Sequence, residues 1–554
     1  MENFTAATDA VGGSLGLSAL VALIPLATFF AMLLGVRARA HTSALAALTA
    51  ALLVAWLGFD MPLGLAALSA TQGAAFGLFP IVWIIVMALW FYELTVTSGR
   101  FEDLRLLFDR IGGGDLRIQA ILIAFCFGGL LEALAGFGAP VAITATMVMA
   151  LGVAPLRAAI AVLLANTAPV AFGALAIPIT TAGSLTGEDP AAIGAIVGVQ
   201  APFVAWIVPF VLLFVLDGLR GIKDAWPAAL VIGLSFGIAQ WWSATHFSYE
   251  MTDIVACLAS LGAAVLFLKV WTPRGDAEVR ERLGVTAPAS AAELKPVRVW
   301  MALLPYLLVV TFFAVANMWK LGIDVPAALA STTVEIPWPG LSEHLLTADG
   351  SVVAATTYKL AWLSSPGTIL LITGLLVAAI YTIFSEHDRY RLGMGAALGL
   401  IGTCAWRMRW AALTIAAVLA LAYVMNFSGQ TVSIGAYLAS LGAIFAFLSP
   451  ILGWLGTAVT GSDTSANALF SNLQHTAATN AGIDPKLLLA ANTSGGVVGK
   501  MISPQSLAIA ATAVQMEGKE SEIFKKVIPW SIGLLFVICA LVFLQSNVLA
   551  WMLP

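Results

Sequence analysis

Residues that could do chemistry cluster at two places where an apolar chain is suddenly interrupted. Gly461-Ser-Asp-Thr-Ser-Ala-Asn467 follows a strongly apolar run over 438–459, and Gly136-Phe-Gly-Ala-Pro140 interrupts another apolar segment. Polar backbone and side chains at membrane depth are tolerated only where they are paired or line a site. Gly136, Phe137, Gly138 and Ala139, followed by Pro140, suit the tip of a half-helix, whose free amides attract anions. Ser462, Asp463 and Thr464 offer N-cap oxygens and hydroxyl donors at a second tip. Asn166-Thr167 and Asn492-Thr493-Ser494 would add amides and hydroxyls from two interrupted crossings. Together they predict a donor-rich pocket suited to a small carboxylate that carries a hydroxyl. Asp463 and Glu132 are the acids placed deepest in the membrane, so each is a candidate proton carrier. Asp463 would otherwise serve as a helix cap, and Glu132 would otherwise bond nearby backbone. Lys500 would attract the anion, neutralise Asp463, or snorkel to an interface. His475 is read as an ordinary interfacial histidine, and Glu93 as a carboxylate snorkelling from its helix end.

The elements that position these residues follow from composition. The chain has 554 residues, 60% of them hydrophobic and 10% charged, with mean hydropathy +0.96. A soluble domain averages about 25% charged residues, so this is an all-α polytopic membrane protein. Apolar runs over 14–36, 42–59, 73–97, 156–181, 190–216, 226–243, 251–270, 297–318, 366–384, 409–427, 486–510 and 527–552 predict about twelve transmembrane helices. Regions 118–153 and 443–475 are broken in the middle and predict two re-entrant hairpins. With both termini outside, all but four of the 26 basic residues fall inside. The four are Lys320, Lys359, Lys486 and Lys500. Residues 271–296 read as a cytoplasmic linker and 319–365 as an external loop. The first apolar run lacks a basic n-region and does not read as a cleaved signal peptide. Cys126, Cys257, Cys404 and Cys539 show no CxxC spacing and read as small buried residues. No metal-ligand pattern, cofactor motif, nucleophile–base set or nucleic-acid signal is present, which argues against an enzyme.

The two interrupted regions also run in parallel. Gly128 precedes Gly136 as Gly453 precedes Gly461. Asn166-Thr167 is followed by Gly173 and Pro178 at the spacing with which Gly499 and Pro504 follow Asn492-Thr493. Ser98-Gly99 and Ser428-Gly429 end the crossings before them. Each leads into a helix with interfacial spacing, Phe101, Leu104, Phe108 and Ile111 in one, Ile434, Leu438 and Leu441 in the other. One unit over 73–216 thus recurs over 409–552, with the hairpins entering from opposite sides. Inverted repeats with discontinuous helices are the architecture of secondary transporters.

The runs Gly136-Phe-Gly-Ala-Pro-Val-Ala-Ile143, Asn166-Thr-Ala-Pro-Val-Ala-Phe-Gly173, Gly461-Ser-Asp-Thr-Ser-Ala-Asn-Ala-Leu-Phe470 and Gly499-Lys-Met-Ile-Ser-Pro-Gln-Ser506 resemble those of the bacterial L-lactate permease family. The resemblance extends from the first crossing to the C-terminus. It implies a multi-pass symporter of the bacterial cytoplasmic membrane that takes up lactate, often glycolate too, with protons. It also implies an ion-transporter-superfamily-like, elevator-type mechanism, usually within a homodimer. In that family Glu-Gly-Ala-Ala precedes the first tip, whereas Glu132-Ala133-Leu134-Ala135 stands here, a departure that bears on substrate preference. The expected function is therefore import of L-lactate, and also of D-lactate or glycolate, by proton symport. A sodium-coupled carboxylate carrier of the same architecture is the alternative.

Overall fold

The structure is a computed structural model. It describes the chain except for residue 1, residue 37 and residues 112–114, 136–138, 274–277, 280, 282–294, 319–322, 348–349, 386–389 and 517–518. Most of the expected linker over 271–296 therefore lies outside the described residues, as do Gly136, Phe137 and Gly138. The side chains of Ala139, Phe108 and Ile111 also lie outside the described set.

Eight helices among the described residues are long and apolar enough to cross a membrane. They become nine if Pro155–Ala165 and Val170–Thr186, bent by 59°, are one span. Some runs exceed the ~20 residues of a single crossing. Leu63–Thr97 covers 35 residues, and Pro190–Phe247 covers 58 and reverses at Gly218, whose φ is +67°. The chain is thus a helical, multi-pass membrane protein. Its four cysteines are buried and unbridged.

The first sequence unit forms α1 (Trp83–Thr97), α2 (Arg100–Ile111), α3 (Gly128–Ala135), α4 (Pro155–Ala165) and α5 (Gly173–Thr186). It is followed by α6 (Val208–Trp242) and α7 (Thr252–Leu268). The second forms α8 (Arg409–Phe427), α9 (Gln430–Ala439), α10 (Ile444–Thr460), α11 (Asp463–Ala481), α12 (Pro485–Gly499) and α13 (Pro504–Ala513). Local chemistry explains several boundaries. Asp484 caps α12 by accepting from Lys486 N at 3.0 Å, and Pro485 starts it. Gly461, at φ +75°, lets the chain turn from α10 into α11, where a side chain would be strained and its Cβ would meet Gln505. α10 and α12 approach backbone to backbone, because a Cβ on Gly495 would stand 1.9 Å from Pro450 O.

Prolines place the interruptions, and they place them differently from the sequence expectation. A proline clashes with the carbonyl four residues earlier and bars its predecessor from the helix. Pro178 and Pro504 therefore act on Ala174 and Lys500. Ala174, Leu175 and Ala176 form one left-handed turn, with φ of +46°, +59° and +55°. Lys500–Ile502 forms a 3-10 turn at the matching place. The first unit has a further proline, Pro169, and α4 ends four residues before it at Ala165. The second unit has Gly495 there instead. α12 consequently runs without a break through Asn492, Thr493 and Ser494 to Gly499. The break expected at Asn492-Thr493 is thus found at Lys500.

The two helices expected to be interfacial are tied to protein. Phe101 and Leu104 of α2 and Ile434 of α9 are buried, while Leu441, beyond the end of α9, is exposed. Asp103 of α2 is buried and bonded to Arg298 and Tyr390. Residues 334–360 carry two small sheets. Phe4–Thr5 pairs in parallel with Leu345–Leu346, and Val334–Pro337 pairs antiparallel with Thr357–Leu360. Tyr358 Oη donates to Phe79 O at 2.6 Å and fastens this segment to the helices beneath.

Candidate functional site

One partly open pocket, with about 350 Å³ of empty space, gathers residues from the segments 132–178 and 461–500. Glu132, Val170, Gly173, Ala174 and Pro178 line it from the first, and Gly461, Ser462, Asp463, Thr464 and Lys500 from the second. The two proline-placed distortions, at Ala174 and Lys500, face this same space. Non-helical backbone at membrane depth is tolerated where it is buried in protein or lines a cavity.

Glu132 and Lys500 form a buried ion pair, with Lys500 Nζ donating to Glu132 Oε1. Asn166 Nδ2 donates to the other oxygen, Oε2, at 3.0 Å. Gly173 lies against this carboxylate, because a Cβ there would stand 3.1 Å from Oε1. The pair joins positions 368 residues apart and ties the first hairpin region to the second break. Lys500 therefore neither snorkels to an interface nor pairs with Asp463, and Glu132 bonds side chains from other elements.

Asp463 opens α11 and is held differently. Its Oδ1 accepts from Thr457 Oγ1 at 3.3 Å and from Asn467 Nδ2 at 3.4 Å. Its Oδ2 is buried and has no hydrogen-bond partner among the described residues. The capping role belongs to Ser462, whose Oγ accepts from Ser465 N at 3.2 Å. Gly496 makes room for the acid, since a Cβ there would collide with Asp463 Oδ1. A carboxyl with two neutral donors on one oxygen and none on the other is poorly compensated as an anion and well suited to hold a proton.

The remaining expected residues support the pocket or lie away from it. Asn492 Nδ2 and Thr493 Oγ1 both donate to Asn467 Oδ1, each at 3.1 Å. They stand behind Asp463 as Asn166 stands behind Glu132. Ser494 turns away and donates to Gln200 Oε1 at 2.7 Å. Thr167 Oγ1 donates to Leu164 O at 2.6 Å. Thr167 and Ser494 instead border a second space of about 250 Å³ with Gln200 and Ile538. Gly136, Phe137 and Gly138 lie outside the described residues, and Ala139 begins the helix after them.

Several site residues were not singled out. Gly173 and Pro178 marked the repeat without being read as lining. Asn467 had a usable signal, one helical turn after Asp463, whereas Thr457 lies on α10 and reaches Asp463 across the Gly461 turn. Ala174 and Val170 are small apolar residues that nothing in the sequence distinguishes. His475, read as an ordinary interfacial residue, pairs its Nε2 with Glu188 Oε1 at 3.1 Å, and Glu93 pairs with Arg407.

These helices and this shared pocket define a multi-pass integral membrane protein with a small site lined by residues from distant parts of the chain. The chain belongs to the L-lactate permease family, whose family model matches residues 18–549. It is 40% identical to an L-lactate permease of Bacillus subtilis over the whole of both chains. It is 42% identical to the glycolate permease GlcA of Escherichia coli and 40% identical to an L-lactate permease of that organism. Each of these two alignments covers 98% of both chains. The protein is accordingly a permease, and not an enzyme.

Proposed function

We propose that this permease imports L-lactate, and also D-lactate or glycolate, by proton symport across a bacterial cytoplasmic membrane. The observation that carries the reading is the pocket's charge arrangement. Lys500 is the one basic residue among the described lining residues, it is already paired with Glu132, and Asp463 stands beside the pair with no ion pair of its own among the described residues. A substrate carboxylate entering this space binds at Lys500, and its hydroxyl meets Ser462 and Thr464. The added negative charge is costly in a buried site unless a positive charge enters with it. A proton on Asp463 supplies that charge, and Glu132 is the second carrier. Substrate and proton then cross together.

In this reading the chain crosses the membrane about twelve times with both termini outside. The segments 118–153 and 443–475 enter as hairpins from opposite sides, and Gly136, Phe137, Gly138 and Ala139 take part in binding the substrate. Residues 73–216 and 409–552 are inverted repeats. The hairpin-bearing parts slide against the rest as an elevator, within a homodimer.

The test is uptake by proteoliposomes under an imposed pH gradient in sodium-free buffer, with a panel of short 2-hydroxy acids compared by counterflow. Lactate or glycolate accumulates when the gradient is present and equilibrates when it is collapsed. Uptake that requires sodium overturns the proton assignment. Asp463→Asn keeps the Thr457 and Asn467 bonds to Oδ1, so it retains counterflow and loses gradient-driven accumulation.

A further inference from the structure

A second buried carboxyl, which the proposed cycle does not use, lies behind the first break. Asp253 is the second residue of α7 and is fully buried. Its Oδ1 accepts from Gln240 Nε2 at 3.1 Å. The same amide nitrogen donates to Ala168 O at 3.2 Å, inside the Asn166–Phe172 break. Two buried atoms of this pair have no hydrogen-bond partner among the described residues, and they are Asp253 Oδ2 and Gln240 Oε1. They are the complementary atoms of a carboxylic acid–amide pair. A proton on Oδ2 would donate to Oε1 while Oδ1 keeps its bond from Nε2, and both orphans would be satisfied at once.

We infer that Asp253 is a second proton-binding carboxyl of the transport cycle, whose proton sets the position of the first break through Gln240 and Ala168. The inference rests on the proton-symport reading above. A bound proton closes the two-bond pair and leaves the amide free to hold Ala168 O. Release of the proton to water sets a carboxylate against the Gln240 carbonyl. The amide must then turn its nitrogen wholly to the carboxylate, and Ala168 O loses its donor. Ala168 lies two residues from Asn166, which holds Glu132 in the pocket. The state of Asp253 is thereby felt at the Glu132–Lys500 pair.

The groups around Asp253 leave little else to balance its charge. Glu132 of α3 acts on it electrostatically. Cys257 of its own helix packs against Gly129, and Cys126 bonds Ser260. The neighbouring part of α6, over 225–242, and all of α5 contain no charged residue. Tyr249 and Glu250 precede it in the chain, bonded to Thr180 and Ser248. His246 is exposed and bonded to Thr245, and Arg298 and Asp103, from the other helices packed on α7, pair with each other. No basic side chain among the described residues reaches Asp253.

Asp253→Asn tests this, because its amide forms the same two bonds to Gln240 and mimics the protonated state permanently. In proteoliposomes the variant retains lactate counterflow and loses accumulation driven by a pH gradient. Accumulation equal to that of the unsubstituted protein overturns the inference. Infrared titration of the purified, substrate-free proteins decides the case if the variant fails to exchange. The unsubstituted protein shows a carboxylic acid C=O band that is absent from Asp253→Asn and disappears as pH rises. Absence of such a band, or a band that never titrates, overturns the inference. Failure of the unsubstituted protein to transport any hydroxy acid with protons overturns the symport reading instead, and the infrared result is independent of it.

Discussion

At the residue scale, the Glu132–Lys500 pair makes the site both exacting and fragile. A buried ion pair gains little net stability, but losing one partner strands a charge at a cost of about 3–5 kcal/mol. Lys500→Met strands Glu132 between Asn166 and Gly173, so its melting temperature in detergent should fall clearly. Glu132→Gln combined with Lys500→Met removes both charges and should recover most of the loss, while counterflow stays absent. Recovery of counterflow in the double variant would show that the pair does not bind substrate. The residue types were legible in sequence, because a lysine and two acids inside apolar segments are conspicuous. Their partners were not. Lys500 could reach Asp463 or Glu132 by any local argument, and the choice depends on how two breaks far apart in sequence meet.

At the element scale, the organising features are the prolines that end or distort helices. Left-handed geometry costs an L-residue about 1–2 kcal/mol, and Ala174, Leu175 and Ala176 adopt it in succession. Ala176 and Ala182 are both fully buried alanines of α5, one in the left-handed turn and one beyond it in regular helix. Replacing either by glycine deletes a buried methyl, worth about 0.8 kcal/mol. Only at Ala176 does glycine also relieve the backbone. Thermal unfolding should therefore show Ala176→Gly near or above the unsubstituted protein, Ala182→Gly below it, and Ala176→Val lowest among the changes at 176. The matched Gly173–Pro178 and Gly499–Pro504 spacings were visible in sequence as a repeat, but the break was assigned to the asparagine and threonine before them. Ala165, Ala174 and Lys500 each stand four residues before a proline, the position a proline crowds, whereas Pro450 sits inside α10 without breaking it. Asn492 and Thr493 then serve as side-chain donors to Asn467 from within an intact helix.

For the whole molecule, the N-terminal strand and the 334–360 segment must lie on one face, since Phe4–Thr5 and Leu345–Leu346 are paired. His344 Nδ1 and Asn3 Oδ1, 3.0 Å apart, reinforce that contact. The helix Pro366–Ile383 follows and is long enough for one crossing. Single cysteines at Glu2 and Ser351 should react with an impermeant maleimide from the same side of the membrane. A cysteine at Gly393, an exposed position past that helix, should react only from the other side. The four buried native cysteines keep the background low. Labelling of all three from one side would remove the crossing.

Membrane class and membership of the L-lactate permease family were both determined by sequence alone. Each of these is written in local quantities: apolar run length, spacing between glycines and prolines, and the identity of contiguous motifs. Only the tertiary structure decided that Glu132 takes Lys500, that Asp463 keeps an unpartnered oxygen in the same space, and that Asp253 answers to Gln240 behind it. Burial and pairing of polar groups depend on which segments pack together, and hundreds of residues separate the partners that matter most here.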